Sequence, residues 1–352
     1  MSQTPENEAV QQKIDELIEV AGITENQALI RSIVSTGIGL GEDGADRLNL
    51  KITSAAVEEM RNAFRLFAPH RGEHKVTIFG SARTQREDPL WLLAEEVATK
   101  MAEHDWFVVT GAGPGIMEAA SHGAGEQHAL GVSIRLPFEE SPNMVIAADD
   151  RQVSMKYFFT RKLMLVKESR GFVCLPGGFG TMDELFELLT LQQTGKMIPV
   201  PIVLVDHPDG TFWSRFKTYI EQELDAAGMI SPNDLDRVLI TSDADAAADE
   251  ITGFWRNYDS LRWFGTELVL RLRAEPTDEE VASLNEQFAH LIADGSFEKT
   301  TARPAEVRDN DVPEAPRLVF TPAQRRIGEL HRIIRALNAL ESAPQRAAKP
   351  SQ

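Results

Sequence analysis

Cysteine is almost absent from this chain of 352 residues: Cys174 is the only one, so no intramolecular disulfide can form. It sits in an apolar run, Gly171-Phe172-Val173-Cys174-Leu175, that reads as a buried strand. Positive charge is also short. Against 54 Asp and Glu stand 36 Lys and Arg, a formal net charge of −18. Such a field disfavours nonspecific binding to nucleic acid or to an anionic membrane. A phosphate ligand must then be held by local donors. No apolar run approaches the ~18 residues that would suggest a membrane span. The acidic N-terminus lacks a signal-peptide pattern, and a cytoplasmic location is expected. Among eight histidines only His70 and His74 have a four-residue ligand spacing, and Pro69 and Gly72 oppose the helix that would align them. Asp149-Asp150 reads as a solvated loop pair. No metal and no cofactor are expected.

What the chain does have is glycine in three strand-to-helix turns. Lys75-Val76-Thr77-Ile78-Phe79 runs into Gly80-Ser81, and Trp106 to Thr110 runs into Gly111-Ala112-Gly113-Pro114-Gly115. The apolar run at Gly171 leads into Pro176-Gly177-Gly178-Phe179-Gly180-Thr181-Met182-Asp183-Glu184, followed by helical spacing of Met182, Leu185, Phe186 and Leu189. Glycine turns let successive backbone N–H groups converge on an anion, and a helix N-terminus adds unpaired donors. In an open α/β sheet these turns line the ligand crevice. The acidic ribose partner of a dinucleotide fold is missing, since Leu130 to Leu136 carries no carboxylate. A nucleotide phosphate is the expected ligand, and NAD is not.

The PGGxGTxxE stretch resembles the signature of the LOG-type (Lonely Guy) phosphoribohydrolases, formerly labelled possible lysine decarboxylases. The resemblance covers roughly residues 75 to 205. It implies cleavage of the N-glycosidic bond of a nucleoside 5′-monophosphate to free base and ribose 5-phosphate, with cytokinin riboside monophosphates or AMP-like nucleotides as substrates. By resemblance Arg161, of an Arg161-Lys162 pair, and Glu184 are the catalytic residues. Short plant-type members have a histidine just before that pair, where this chain has Phe159-Thr160. The substrate-binding set is Gly80, Ser81, Gly113, Gly115, Lys162 and the loop Gly177, Gly178, Phe179, Gly180 and Thr181. Glu139 and Thr190 join it as matches to family substrate positions. Similar cores pair as dimers, so a homodimer or higher homo-oligomer is expected.

Other readings compete. Thr181-Met182-Asp183-Glu184 is also a capping-box pattern, which would make Glu184 a helix cap. Arg161 would be a solvated helical arginine and Lys162 a surface charge. A binding or carrier module without turnover would use the same phosphate cradle. Amino-acid decarboxylation through pyridoxal phosphate would use Lys162 as Schiff base. The chemistry of glycosidic cleavage needs a carboxylate near the anomeric carbon, where positive charge builds. Arginine is no practical proton donor, so Arg161 would orient the substrate or stabilise the departing base.

The expected class is α/β: a Rossmann-like doubly wound parallel sheet, from the alternation of strand and helix patterns. It is flanked by a helical N-terminal extension over residues 1–70 and a small α+β appendage over 258–341. The catalytic domain is 71–257, and 342–352 reads as a disordered tail. Within the extension Val10 to Val20, Ala28 to Ser35 and Ser54 to Phe67 read as helices, with Gly37, Gly39, Gly41 and Gly44 breaking the second. In the appendage Glu267 to Leu272 and Arg317 to Phe320 read as strands. Thr277 to Ile292 and Ile327 to Leu340 read as helices.

Overall fold

The structure is a computed structural model that describes residues 5–136, 150–231, 234–323 and 329–346. It divides into two compact units, Met1–Glu58 and Glu59–Gln352.

In the first unit α1 (Pro5–Val20) and α2 (Gln27–Glu42) are paired by Arg31 to Asp15 at 2.5 Å and by Gln11 to Ser35 at 3.2 Å. The expected break at the glycines is corrected. Helix α2 runs through Gly37, Gly39 and Gly41 and ends before Gly44, which has φ +67°. Helix α3 (Arg47–Phe67) begins seven residues before the predicted Ser54, and its second half belongs to the second unit.

The second unit is built on seven strands: β1 (Lys75–Phe79), β2 (Phe107–Thr110), β3 (Ala129–Ile134), β4 (Gln152–Met155), β5 (Phe172–Cys174), β6 (Ile202–Val205) and β7 (Val238–Thr241). Their order is β4-β3-β2-β1-β5-β6-β7, and every pairing is parallel. Parallel neighbours need crossover connections. The helices in them are α4 (Pro89–Glu103), α5 (Ile116–His128), α6 (Phe158–Glu168), α7 (Phe179–Gln193) and α8 (Phe212–Tyr219), and α9 (Ala244–Gly253) follows β7. Successive strand residues point to opposite faces. Thus Val108 joins a core with Ala94, Val97 and Ala120, while its neighbour Val109 joins another with Ala63, Leu66, Phe67 and Met164. Both faces of the sheet are covered, so this is the doubly wound, Rossmann-like fold the alternation predicts. The chain steps outward from β1 to β4 and then returns to β5, beside β1, with Phe79 opposite Cys174. That reversal opens a crevice at the strand C-terminal ends.

A second sheet, ordered β10-β11-β9-β8, is antiparallel. Its strands are β8 (Tyr258–Phe264), β9 (Glu267–Leu272), β10 (Ile292–Thr300) and β11 (Arg317–Pro322), with α10 (Asp278–Phe288), α11 (Pro304–Arg308) and α12 (Leu330–Ala339). Leu270, Phe320, Ile334 and Leu337 share one apolar core with Ile251 and Trp255, so the two sheets are packed through a continuous interior. The helix expected to reach Ile292 stops at Phe288, because Ile292 opens β10. His74, expected in a solvated linker, is buried and stacks on Trp106 with ring centroids 4.5 Å apart.

Candidate active site

The β1 and β5 turns are fused at the crevice. Ser81 N–H donates to the Pro176 carbonyl at 3.1 Å, and the Ser81 carbonyl accepts from Ile116 N–H at 3.0 Å. Gly177 permits the approach: a Cβ there would stand 2.1 Å from Thr181 Oγ1 and 2.9 Å from the Ser81 nitrogen. Gly115, with φ +69°, passes so close to the Ser81 carbonyl that a Cβ would come within 2.3 Å of it. Helix α7 then opens at Phe179 with Gly178 as N-cap and no acidic residue in its first turn. Its first backbone bond is Met182 N–H to the Gly178 carbonyl at 3.1 Å. The amides of Phe179, Gly180 and Thr181 therefore have no partner within the helix, which makes the loop an anion cradle.

Arg161 and Glu184 meet at this cradle. Arg161 Nη1 lies 3.7 Å from Glu184 Oε1, with the two side chains 10% and 16% exposed. Arg161 is anchored from behind by Nε, which donates to the Val132 carbonyl at 3.0 Å. Burial pushes the Glu184 carboxyl above its ordinary range; the Arg161 guanidinium works against that push and Asp183 adds to it. The capping reading of Glu184 fails on geometry. Thr181 lies in the first turn of α7, buried, rather than at its N-cap. The same Thr-x-x-Glu pattern does form a capping box at Thr277 and Glu280, at the start of α10.

The cleft, about 1690 Å³, is lined by Gly80, Ser81, Gly113, Arg161, Glu184 and the whole 176–182 loop, including a fully exposed Phe179. Gly115 does not line it and acts through its packing on Ser81. Lys162 does not line it either: it turns away to Glu187 at 3.0 Å and Asp183 at 3.2 Å. Burial alone would lower its pKa, but the hydrogen bonds to Glu187 and Asp183 outweigh that and raise it. A Schiff-base lysine needs a readily deprotonated amine facing its substrate, and Lys162 has neither property. Thr190 is exposed, farther along α7, and outside the cleft lining. Glu139 and Asp149 lie outside the described residues, and Asp150 is exposed. Among the described residues no cluster of three or more His, Cys, Asp or Glu could hold a metal ion.

Sequence reasoning missed two stretches of the wall. Ser133, Arg135, Gln152 and Ser154 contribute from the ends of β3 and β4, and His207 and Arg215 from the connection after β6. The second stretch had a signal. Asp206 directly follows an apolar strand, and its carboxylate accepts His207 N–H and Phe212 N–H, each at 3.0 Å, shaping that connection. Gly111 was also missed as a support. A Cβ there would lie 2.0 Å from Arg161 Nη2, so the guanidinium occupies the space that a side chain would fill.

Residues 116–251 match the family model described as "Possible lysine decarboxylase". The cytokinin riboside 5′-monophosphate phosphoribohydrolase LOG5 of Arabidopsis thaliana is 31% identical over 173 residues, 45% of this chain and 68% of that one. The cytokinin riboside 5′-monophosphate phosphoribohydrolase of Mycobacterium tuberculosis is 28% identical over 173 residues, 48% and 88% of the two chains. The molybdenum cofactor carrier protein of Chlamydomonas reinhardtii aligns with 50% of this chain and 94% of its own, at TM-score 0.32 and 19% identity. By its likeness to the Arabidopsis protein across more than two thirds of that relative, the chain belongs to the LOG family.

Proposed function

We propose that the chain hydrolyses the N-glycosidic bond of a nucleoside 5′-monophosphate, a cytokinin riboside monophosphate or an AMP-like nucleotide, to free base and ribose 5-phosphate. The observation that carries the reading is the Arg161–Glu184 pair, its side chains 10% and 16% exposed, beside first-turn amides of α7 that have no partner within the helix. Those amides bind the 5′-phosphate and fix the ribose by a contact remote from the reacting bond. As the C1′–N bond breaks, its electron pair leaves with the base and positive charge builds at C1′. Glu184, ionised, stabilises that charge and accepts a proton from the attacking water, whose oxygen forms the new C1′–O bond. Arg161 hydrogen-bonds the departing base, which takes its proton from solvent. Lys162 balances Asp183 and Glu187 beside Glu184, so the carboxylates behind the cleft do not act on the phosphate unopposed.

Ribose 5-phosphate release from AMP, GMP, CMP, UMP and isopentenyladenosine monophosphate tests the reading. Turnover with at least one substrate is expected, falling by about 10²–10⁴-fold in Glu184→Gln and in Arg161→Ala. Turnover needs ionised Glu184, whose carboxyl titrates above the ordinary range. The acid limb of kcat/KM therefore lies above the usual carboxylate value of ~4.3. Binding of these nucleotides without any release would instead identify a carrier module. Undiminished turnover in both variants would remove the assigned roles.

A further inference from the structure

Helix α6, which carries Arg161, begins without a cap of its own. Its N-cap residue is Tyr157, whose side chain accepts nothing from the first turn. A carboxylate from α3, distant in sequence, instead braces the two residues that lead into the helix and one hydroxyl in its first turn. Glu59, 4% exposed, sends one carboxylate oxygen to Lys156 N–H at 2.8 Å and the other to the Thr160 hydroxyl at 2.7 Å and Tyr157 N–H at 3.4 Å. Arg135, in the cleft wall at the end of β3, places Nη2 3.9 Å from the same carboxylate. A carboxylate this buried is tolerated only where donors satisfy it; here the Lys156 and Tyr157 N–H groups and the Thr160 hydroxyl supply them, at the favourable end of the α6 dipole.

The clamp holds the residues on which Arg161 stands. Arg161 N–H donates to the Tyr157 carbonyl at 3.3 Å, and Thr160 is its immediate neighbour. Lys156 lies at the end of β4, so Glu59 ties the strand end, the helix start and the turn bearing Arg161 to one rigid point. The guanidinium then reaches both the Val132 carbonyl and Glu184. We infer that Glu59 is a positioning residue for Arg161: from α3 it locks the first turn of α6 and sets the guanidinium against Glu184. The kinetic part of its test rests on the hydrolase reading of the cleft; the spectroscopic part does not.

The experiment uses the full chain with Glu59→Ala, Glu59→Gln, Thr160→Val and the double variant Glu59→Ala/Arg161→Ala. With the best nucleotide substrate, Glu59→Ala is expected to lower kcat by about 10- to 100-fold, the cost of a small misplacement, with KM within about threefold. Glu59→Gln, which keeps length and one acceptor, falls between wild type and Glu59→Ala. The double variant is no slower than Arg161→Ala alone, because Glu59 acts through that residue. Thr160→Val, isosteric and lacking only the hydroxyl, lowers kcat in the same direction and serves if Glu59→Ala does not fold. In parallel, the Arg161 Nε–H resonance, identified by its loss in Arg161→Lys, is expected to shift in Glu59→Gln. A melting temperature that falls while kcat stays within twofold would reduce Glu59 to a structural cap, as would losses that multiply in the double variant. If the wild type turns over no nucleotide, the hydrolase reading fails. The Nε–H resonance then decides alone, and an unmoved signal overturns the role of Glu59.

Discussion

Gly111 leaves a space one methyl group wide, and Arg161 fills it. With Nη2 only 2.0 Å from where a Cβ would stand, and Met117 Sδ 2.7 Å away, Gly111→Ala must displace the guanidinium or the thioether. Overpacking of this kind costs about 1–3 kcal/mol in a filled site, so the variant is expected to stay folded. Its kcat/KM should fall by about 10²-fold, the effect of moving a catalytic group by roughly 1 Å. Kinetics alongside a thermal melt check this; wild-type turnover in a folded variant would show that the guanidinium position does not matter. Residue types gave part of this arrangement away. The PGG loop located the cradle because glycine there has few other uses, and Cys174 is buried in β5 as its apolar neighbours predict. The Thr-x-x-Glu pattern was ambiguous because it serves two geometries. At Thr277 the threonine is the N-cap, whereas at Thr181 the helix has already begun on Gly178 and the glutamate turns to Arg161. Where the helix starts separates the two, and the approach of Arg161, on an element braced by Glu59 roughly a hundred residues earlier in the chain, gives Glu184 its partner. Thr160 supplies the hydroxyl that donates to Glu59.

At the scale of elements, periodicity served where one face is apolar and failed where it is not. The strands before the glycine turns and both helices around the cleft stand out because they bury regular apolar rows. Strands β4 and β10 do not: β4 buries only Val153 and Met155, and in β10 only Phe297 is buried. The antiparallel sheet is also held by a buried ionic centre, with Glu306 accepting from Arg271 at 2.9 Å and Arg317 at 3.3 Å. Charges that pair in the interior look like surface charges in a sequence. Helix α2 is the opposite error. Its glycines suggested a break, yet the helix continues through them, because a glycine penalty of about 1 kcal/mol each can be overridden by packing against α1. Gly37 is exposed, and an added Cβ would touch nothing within 4 Å. Gly37→Ala is therefore expected to stabilise α2 by about 0.5–1 kcal/mol. Amide hydrogen exchange over residues 27–42 should slow by about two- to fivefold, the same free energy read as a rate. Unchanged or faster exchange would mean that α2 is not helical through this position.

For the whole molecule, charge and burial pull pH dependence in opposite directions. The formal charge of −18 means that mild acidification relieves self-repulsion and favours the folded chain. His331 opposes this from the interior. It lies on α12 and is buried, and its Nε2–H donates to the Val200 carbonyl at 3.0 Å, tying the C-terminal helix to the approach of β6. Burial drives its pKa down to about 3; the Val200 hydrogen bond resists, and Arg237 and Arg335 add to the fall. In the unfolded chain a histidine titrates near ~6.5. Between those two values the unfolded state binds a proton that the folded state refuses, so stability declines as pH falls, by up to about 1.4 kcal/mol per pH unit. Above the unfolded value the group contributes no pH dependence. His331→Gln can still donate to the Val200 carbonyl but does not titrate. Urea unfolding of wild type and variant at pH 7, 5.5 and 4.5 separates this one group from the carboxylates, which both proteins share. The wild type is expected to lose stability more steeply than His331→Gln below pH 6.5, and the two to run parallel above it. Parallel curves throughout would mean that water reaches this imidazole and that the junction between α12 and the parallel sheet is open.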